Sequence, residues 1–283
     1  MVDDIKISVV MAVFNRVSVV EQALSSVAEQ TYKNIELIVI DGGSTDGTVD
    51  IIKKYADAGK VAYWCSEPDN GIYDAFNKGV QHATGKYVQF LGSDDALCDE
   101  YSIEKIVEEL LEDVDVLNAS VWRVDEKYKL QSFFDSTKPV KDGYDYSMVP
   151  HQGMFAKKSL LIKYPFSAKY SIAADYLFFL TCLFDSGVRM RYTTKSVAFY
   201  ATDGISNNNR EQVYRENNEI RALFHLPPQL IVIKPPIREF IKLMLKKVGF
   251  FELVVYYCNR YWRKTWIPHS CNNKICRWCN RGV

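Results

Sequence analysis

Between residues 5 and 117 the chain alternates short β-branched runs with stretches of helical periodicity, and two of those runs stop on acids. Ile35 to Ile40 ends in Asp41, followed by Gly42-Gly43-Ser44-Thr45-Asp46-Gly47. Phe90-Leu91-Gly92-Ser93 ends in Asp94-Asp95. Such alternation predicts an α/β fold with a mostly parallel sheet and right-handed crossovers. Ligands of an open α/β sheet sit outside the carboxyl ends of its strands, so the two acid tips point at one site. Adjacent carboxylates repel, and packing gives no reason to end a buried strand on them. Hard oxygen ligands of this kind suit Mg²⁺ or Mn²⁺ carrying a diphosphate.

The remaining periodicity fills in the pattern. Ile5 to Phe14, Val61 to Cys65, Tyr87 to Leu91 and Asp115 to Leu117 read as strands. Ser18-Val19-Val20-Glu21 has capping-box spacing and precedes a helix burying Val20, Leu24 and Val27. Asp46 is placed to cap a helix that buries Val49, Ile52 and Tyr55. Asn70 to Ala83 is helical with Ile72, Ala75, Phe76 and Val80 inward, and Ile103 to Leu111 and Leu177 to Phe184 follow. Residues 118 to 148 carry a weaker signal of mixed short strands.

At 283 residues and 48% hydrophobic content, the chain suffices for one large domain with an appendage. Its zero formal charge hides a split. Residues 231 to 283 hold eleven Lys or Arg against Glu239 and Glu252, a net +9, leaving −9 in the first 230. The Met-Val-Asp-Asp start lacks the basic opening of a signal peptide, and no apolar run approaches the roughly 18 to 20 residues of a membrane span. Seven cysteines, an odd number, fit a reducing compartment better than a disulfide framework.

The ordered set of Val13-Phe14-Asn15, Asp41-Gly-Gly-Ser-Thr-Asp46, Glu67-Pro-Asp69-Asn70-Gly71-Ile72-Tyr73-Asp74-Ala75 and Ser93-Asp94-Asp95 resembles the family-2 glycosyltransferases. Pro150-His151-Gln152-Gly153 and Ala174-Asp175-Tyr176 resemble the branch that builds bacterial surface polysaccharides such as O-antigen and capsule. The resemblance covers roughly residues 5 to 205. It implies a GT-A fold and an inverting, metal-dependent hexosyltransferase using a UDP-sugar. It divides the chain into a catalytic domain over 1–230, with a nucleotide-sugar half to about 117 and an acceptor half from 118, and a basic, helical C-terminal tail over 231–283.

Residue by residue, the resemblance places Asp41 on the uracil imide, and Asn15 and Asp69 near the nucleotide. It puts Asp94 on the ribose or beside the metal ligands, and Asp95 on Mn²⁺ or Mg²⁺. Each also has a local reading: Asp41 as a turn cap, Asn15 and Asp69 as turn residues. Inversion needs a carboxylate on the far face of the sugar to take the acceptor proton. Asp175 occupies the matching position, though Ala174 replaces the acid that often precedes it, and an N-cap is its competing role. His151 and Gln152 fall on the acceptor side. The third metal ligand stays open between Asp203 and water.

In the tail, charges at 238, 239, 242, 246 and 252 form a narrow stripe beside Phe240, Ile241, Met244, Val248, Phe251 and Val255 over 237–257. Basic amphipathic helices of this type lie at anionic membrane surfaces, and Arg260, Trp262, Arg263, Lys264 and Trp266 add interfacial residues. Packing on the catalytic domain is the plainer reading. The expected protein is therefore cytoplasmic and peripheral to the inner membrane. It would extend a polyprenyl-diphosphate-linked sugar by a hexose, galactose or glucose, with a soluble glycan or protein acceptor as the alternative. His269, Cys271, Cys276 and Cys279 offer four zinc ligands in a cramped spacing that fits ordinary thiols better. A nucleic-acid partner is disfavoured because the strand-tip acids repel phosphate. Retention of Asp41, Asp95 and Asp175 argues against an inactive scaffold.

Overall fold

The computed structural model describes residues 5–110, 114–137, 146, 148–202, 204, 209–229, 266–271 and 276–278. Four strands form its parallel half: β1 (Ile7–Val13), β2 (Ile35–Asp41), β3 (Tyr63–Ser66) and β4 (Tyr87–Gly92), in the order β4-β1-β2-β3. Register sets their tips level. Val13 lies opposite Asp41, Asp41 opposite Ser66, and Ala12 opposite Gly92. Crossovers run through α1 (Val20–Ala28), α2 (Thr48–Asp57) and α3 (Ile72–His82).

Alternation along β1 feeds two apolar layers. Val9 and Met11 join Val20, Leu24 and Val27 of α1 on one face, while Val10 joins Tyr73, Phe76 and Val80 of α3 on the other. α3 sits so close that a Cβ on Gly79 would lie 2.3 Å from Val10 Cγ1. Phe76 is fully buried against Phe90, with ring centroids 4.5 Å apart. Truncating it to alanine would cost about 3–5 kcal/mol in lost transfer energy and cavity.

The second half is mixed, as the weaker signal over 118 to 148 suggests. After β5 (Ala96–Leu97) and α4 (Ser102–Val107), β6 (Val116–Asp125) and β7 (Leu130–Phe134) form an antiparallel hairpin. β8 (Met154–Lys157) inserts antiparallel between β4 and β6, and β9 (Met190–Ala201) pairs parallel with β6 and antiparallel with β5. Parallel neighbours need long crossovers, whereas the four residues between β6 and β7 allow only a hairpin. The sheet is therefore mixed, and eight of the ten residues of β6 fall in the stretch of weak signal that begins at 118.

α5 (Lys158–Lys163), α6 (Ala174–Phe184) and α7 (Arg210–Leu223) cover the Phe76 face. The capping box at Ser18 does not form. Helix α1 begins at Val20 with Val19 at its N-cap, because the Arg16 carbonyl accepts the amides of both valines. The proposed tail helix over 237–257 lies outside the described residues. Two short tail pieces do pack on the domain: β10 (Trp266–Pro268) extends the sheet antiparallel to β7, and Trp278 is 1% exposed beside Phe199. No described helix is long and apolar enough to cross a membrane.

Candidate active site

The loops after β1 and β2 are laced together. Asn15 donates its amide to Ser44 Oγ (2.7 Å) and accepts the Thr45 amide on Oδ1 (3.0 Å). The Arg16 amide reaches Thr48 Oγ1, and the Val17 amide reaches Asp46 Oδ2. Asn15 adopts φ +51°, a left-handed conformation that asparagine tolerates better than most residues, and its side chain remains exposed.

Asp41 is fully buried at the bottom of this loop pair. Its Oδ2 accepts from the Gly43 and Ser44 amides and from Ser66 Oγ, and its Oδ1 accepts from Ser44 Oγ. The turn-capping role is thus realised. Asp69 lies beside the loop after β2 and accepts the Gly71 amide at 2.8 Å. Its Oδ2 is so near Gly42 that a Cβ there would lie 2.8 Å away.

At the tip of β4 the two acids face different ways. Asp95 is 4% exposed and wholly engaged by protein donors: the Gly92 amide (3.0 Å) and Gln152 Nε2 (2.8 Å) on Oδ2, and the Ala201 amide (3.2 Å) on Oδ1. Burial, then the charge of Asp94, pushes its pKa up to about 7 despite the Gln152 hydrogen bond. Asp94 is half-buried, and its carboxylate makes no hydrogen bond to any described residue. Arg277 touches only its backbone, donating from Nη2 to the carbonyl at 2.8 Å. Neither acid has an ion-pair partner among the described residues. A carboxylate pair so short of positive charge fits a hard divalent cation.

The third group comes from the second half of the chain. Asp175 lies in the first turn of α6, whose N-cap is Ala173, so the aspartate is not itself the cap. Its Oδ1 is 2.8 Å from Tyr73 Oη, and its Oδ2 is 3.0 Å from His151 Nδ1. Burial and the Asp175 charge raise the Tyr73 pKa well above its ordinary value, keeping that hydroxyl a donor. Burial alone would lower the His151 pKa. The hydrogen bond and charge of Asp175, then the charges of Asp95 and Asp94, outweigh it and raise it.

His151, Gln152 and Gly153 form one 3-10 turn between the carboxylates. His151 holds Asp175 while Gln152 holds Asp95, so neighbouring residues link the two acid centres. Gln152, expected on the acceptor side, is 8% exposed and donates to Asp95. His151 keeps 21% of its side chain exposed. Asp203 lies outside the described residues.

Sequence reading missed two supports. In the sequence Tyr73 stands out only as part of a motif. Glu216, from α7, accepts the amides of Ser171, Ile172 and Ala173 and so caps α6 from outside. A carboxylate reaching across 43 to 45 residues leaves no local signal.

The model of "Glycosyl transferase family 2" matches residues 8–163. A "PGL/p-HBAD biosynthesis glycosyltransferase" of Mycobacterium bovis is 30% identical over 205 residues, covering 71% of this chain and 78% of its own. "Glycosyltransferase GlyA" of Streptococcus pneumoniae is 34% identical over 112 residues, covering 40% of this chain and 16% of its own. Among solved structures, a mannosyltransferase of Pyrobaculum calidifontis in complex with GDP-Man and Mn²⁺ superposes with TM-score 0.62 at 19% identity, covering 79% of this chain and 66% of that one. TarS of S. aureus in complex with UDP-GlcNAc gives 0.60 at 20% identity over 77% and 66%. These likenesses show the GT-A fold. The chain belongs to glycosyl transferase family 2.

Proposed function

We propose that this chain transfers a hexose from a UDP-sugar with inversion, using a divalent cation. The carrying observation is the His151-Gln152 turn, in which one residue holds Asp175 and the next holds Asp95 of the strand tip. Inversion requires the proton acceptor and the leaving group to lie on opposite faces of the sugar, and the two linked acid centres fit that need.

Asp94, the acid with an open carboxylate, is the ligand in this reading. Asp95 is the buried charge behind it, reversing the order expected from sequence. Mn²⁺ or Mg²⁺ held there would neutralise the departing diphosphate. Asn15 and Asp69 line the nucleotide side. Asp41 acts by shaping the base pocket through Ser44, and direct contact with uracil requires Ser44 Oγ to turn away. Asp175 takes the proton of the attacking hydroxyl as the oxygen–C1 bond forms and the C1–diphosphate bond breaks. Tyr73 and His151 fix the carboxylate for that step. A second reading follows from the greater exposure of His151: the imidazole takes the proton and Asp175 orients it.

The acceptor proposal is a polyprenyl-diphosphate-linked sugar in O-antigen or capsule assembly, at the inner membrane face. It rests on the +9 tail and on the Pro150–Gly153 and Ala174–Tyr176 motifs. Galactose and glucose are the proposed donor sugars. Calorimetry with UDP and Mn²⁺ tests the core of this reading. UDP affinity that neither EDTA nor Asp94→Ala alters would refute the cation role.

A further inference from the structure

The C-terminal segment brings together three groups that the transfer reaction does not use. His269, Cys271 and Cys276 offer ligand atoms that all lie within 4.8 Å of one another. Both sulfurs are buried, Cys271 at 9% and Cys276 at 4% exposure. β10 sets up the cluster by pairing with β7, after which the His269 amide donates to the Lys129 carbonyl at 2.8 Å. The imidazole is then wedged between Phe199 and Trp278, edge to face with both.

Its two nitrogens are already assigned by their surroundings. Nδ1 lies 2.7 Å from Gln131 Oε1, an acceptor, so Nδ1 carries the proton. The lone pair is left on Nε2, which points at Cys276 Sγ 3.3 Å away. A histidine whose outer nitrogen is held by an oxygen while the inner one faces thiols has the orientation of a metal ligand. Tetrahedral zinc, with Zn–S about 2.3 Å and Zn–N about 2.0–2.1 Å, sets ligand nitrogen and sulfur about 3.6 Å apart. The observed spacing is within a few tenths of that value.

We infer that His269, Cys271 and Cys276 form a structural zinc site that fastens the C-terminal segment beside the Asp94-Asp95 tip. The ligands are soft nitrogen and sulfur, which select zinc over the hard cations suited to Asp94. Binding replaces thiol protons with the ion and releases them to solvent. What it fastens is specific. Arg277, between Cys276 and Trp278, donates from Nη2 to the Asp94 carbonyl and from its backbone amide to Gln22 Oε1. Trp278 fills the cluster of Ala96, Val124 and Phe199. The site is independent of the proposed donor chemistry.

The competing account is an S–H···N hydrogen bond in an ordinary apolar core. Full-length protein, purified reduced and dialysed with micromolar zinc, separates the two by its metal content. On the order of one zinc per chain is expected, with loss in His269→Ala and Cys276→Ser. Because those variants can fail to fold, the wild-type chain loaded with Co²⁺ gives a second readout. Thiolate-to-cobalt charge transfer and intense tetrahedral visible bands support the site. A fully reduced wild-type chain that retains no zinc and leaves Co²⁺ with its aqueous spectrum overturns it, as does a native disulfide among these cysteines found by mass spectrometry.

Discussion

The imidazole of His151 stands 3.0 Å from the Asp175 carboxylate, and each residue alters what the other can do. Asp175 raises the histidine pKa, and the histidine holds one carboxylate oxygen while Tyr73 holds the other. Asp175→Asn preserves shape but removes proton affinity. Turnover should fall by about 10²-fold or more, with UDP affinity nearly unchanged. His151→Gln separates the two readings of the base: a loss of only about tenfold leaves the proton with Asp175, and a loss equal to that of Asp175→Asn moves it to the imidazole.

Asp94 and Asp95 should behave differently when neutralised. Asp94→Asn should fold normally and lose the Mn²⁺ dependence of UDP binding. Asp95→Asn turns an amide N–H toward donors already present, either Gln152 and Gly92 or Ala201. A donor facing a donor in a buried pocket costs about 1–3 kcal/mol, visible as a lower urea midpoint. Equal stability of the two variants would contradict this division of labour.

Gly153 has no room for a side chain. A Cβ would lie 2.1 Å from the Ala119 carbonyl oxygen, which is sheet backbone and does not yield easily. Gly153→Ala should destabilise the fold by about 1–3 kcal/mol and drag Gln152 and His151 out of position. The check is a pair of measurements: urea denaturation, and turnover under conditions where the variant remains folded.

At the opposite end of the sheet, Glu36 accepts hydrogen bonds from Lys6, Ser8, and the amide and hydroxyl of Thr84. Burial works to raise its pKa, yet these donors together bring it from the ordinary 4.5 down to about 2. A lowered folded-state pKa stabilises the fold above the unfolded value and loses that contribution as pH falls through the folded one. The window is therefore about pH 4.5 to 2. After discounting for the exposed end of Lys6, the contribution is on the order of 2–3 kcal/mol. Glu36→Gln should flatten the acid limb of the stability curve in that window and lower stability at pH 7 by a similar amount.

Membrane attachment needs a test that leaves the packed tail alone. Deleting 231–283 would remove Trp266 and Trp278, both buried. Charge reversal at Arg238, Lys242 and Lys246 instead targets the basic stripe. At about 1 kcal/mol per basic residue near an anionic surface, and more on reversal, the triple variant should leave the pellet in liposome co-sedimentation at low salt. Wild-type protein that stays in the supernatant at low salt removes the membrane proposal.

Sequence alone determined the parallel half of the fold and the strand tips. Period-two and 3.6 patterns are local, and an acid that closes a buried strand is conspicuous wherever the chain goes. It also singled out Asp41, Asp94, Asp95, Asp175 and His151 as chemistry-bearing residues. Which oxygen of which acid is open could not be read there, because adjacent residues such as Asp94 and Asp95 differ only in what the fold puts beside them. The mixed second half was decided by short connections that force antiparallel pairing. Long-range contacts decided the rest: Gln152 on Asp95 across 57 residues, Glu216 under the Asp175 helix, and a C-terminal histidine and two cysteines that a cramped linear spacing disguised until β10 paired with β7. Tertiary packing assigns each polar group its partner, and a partner distant in sequence leaves no periodic trace.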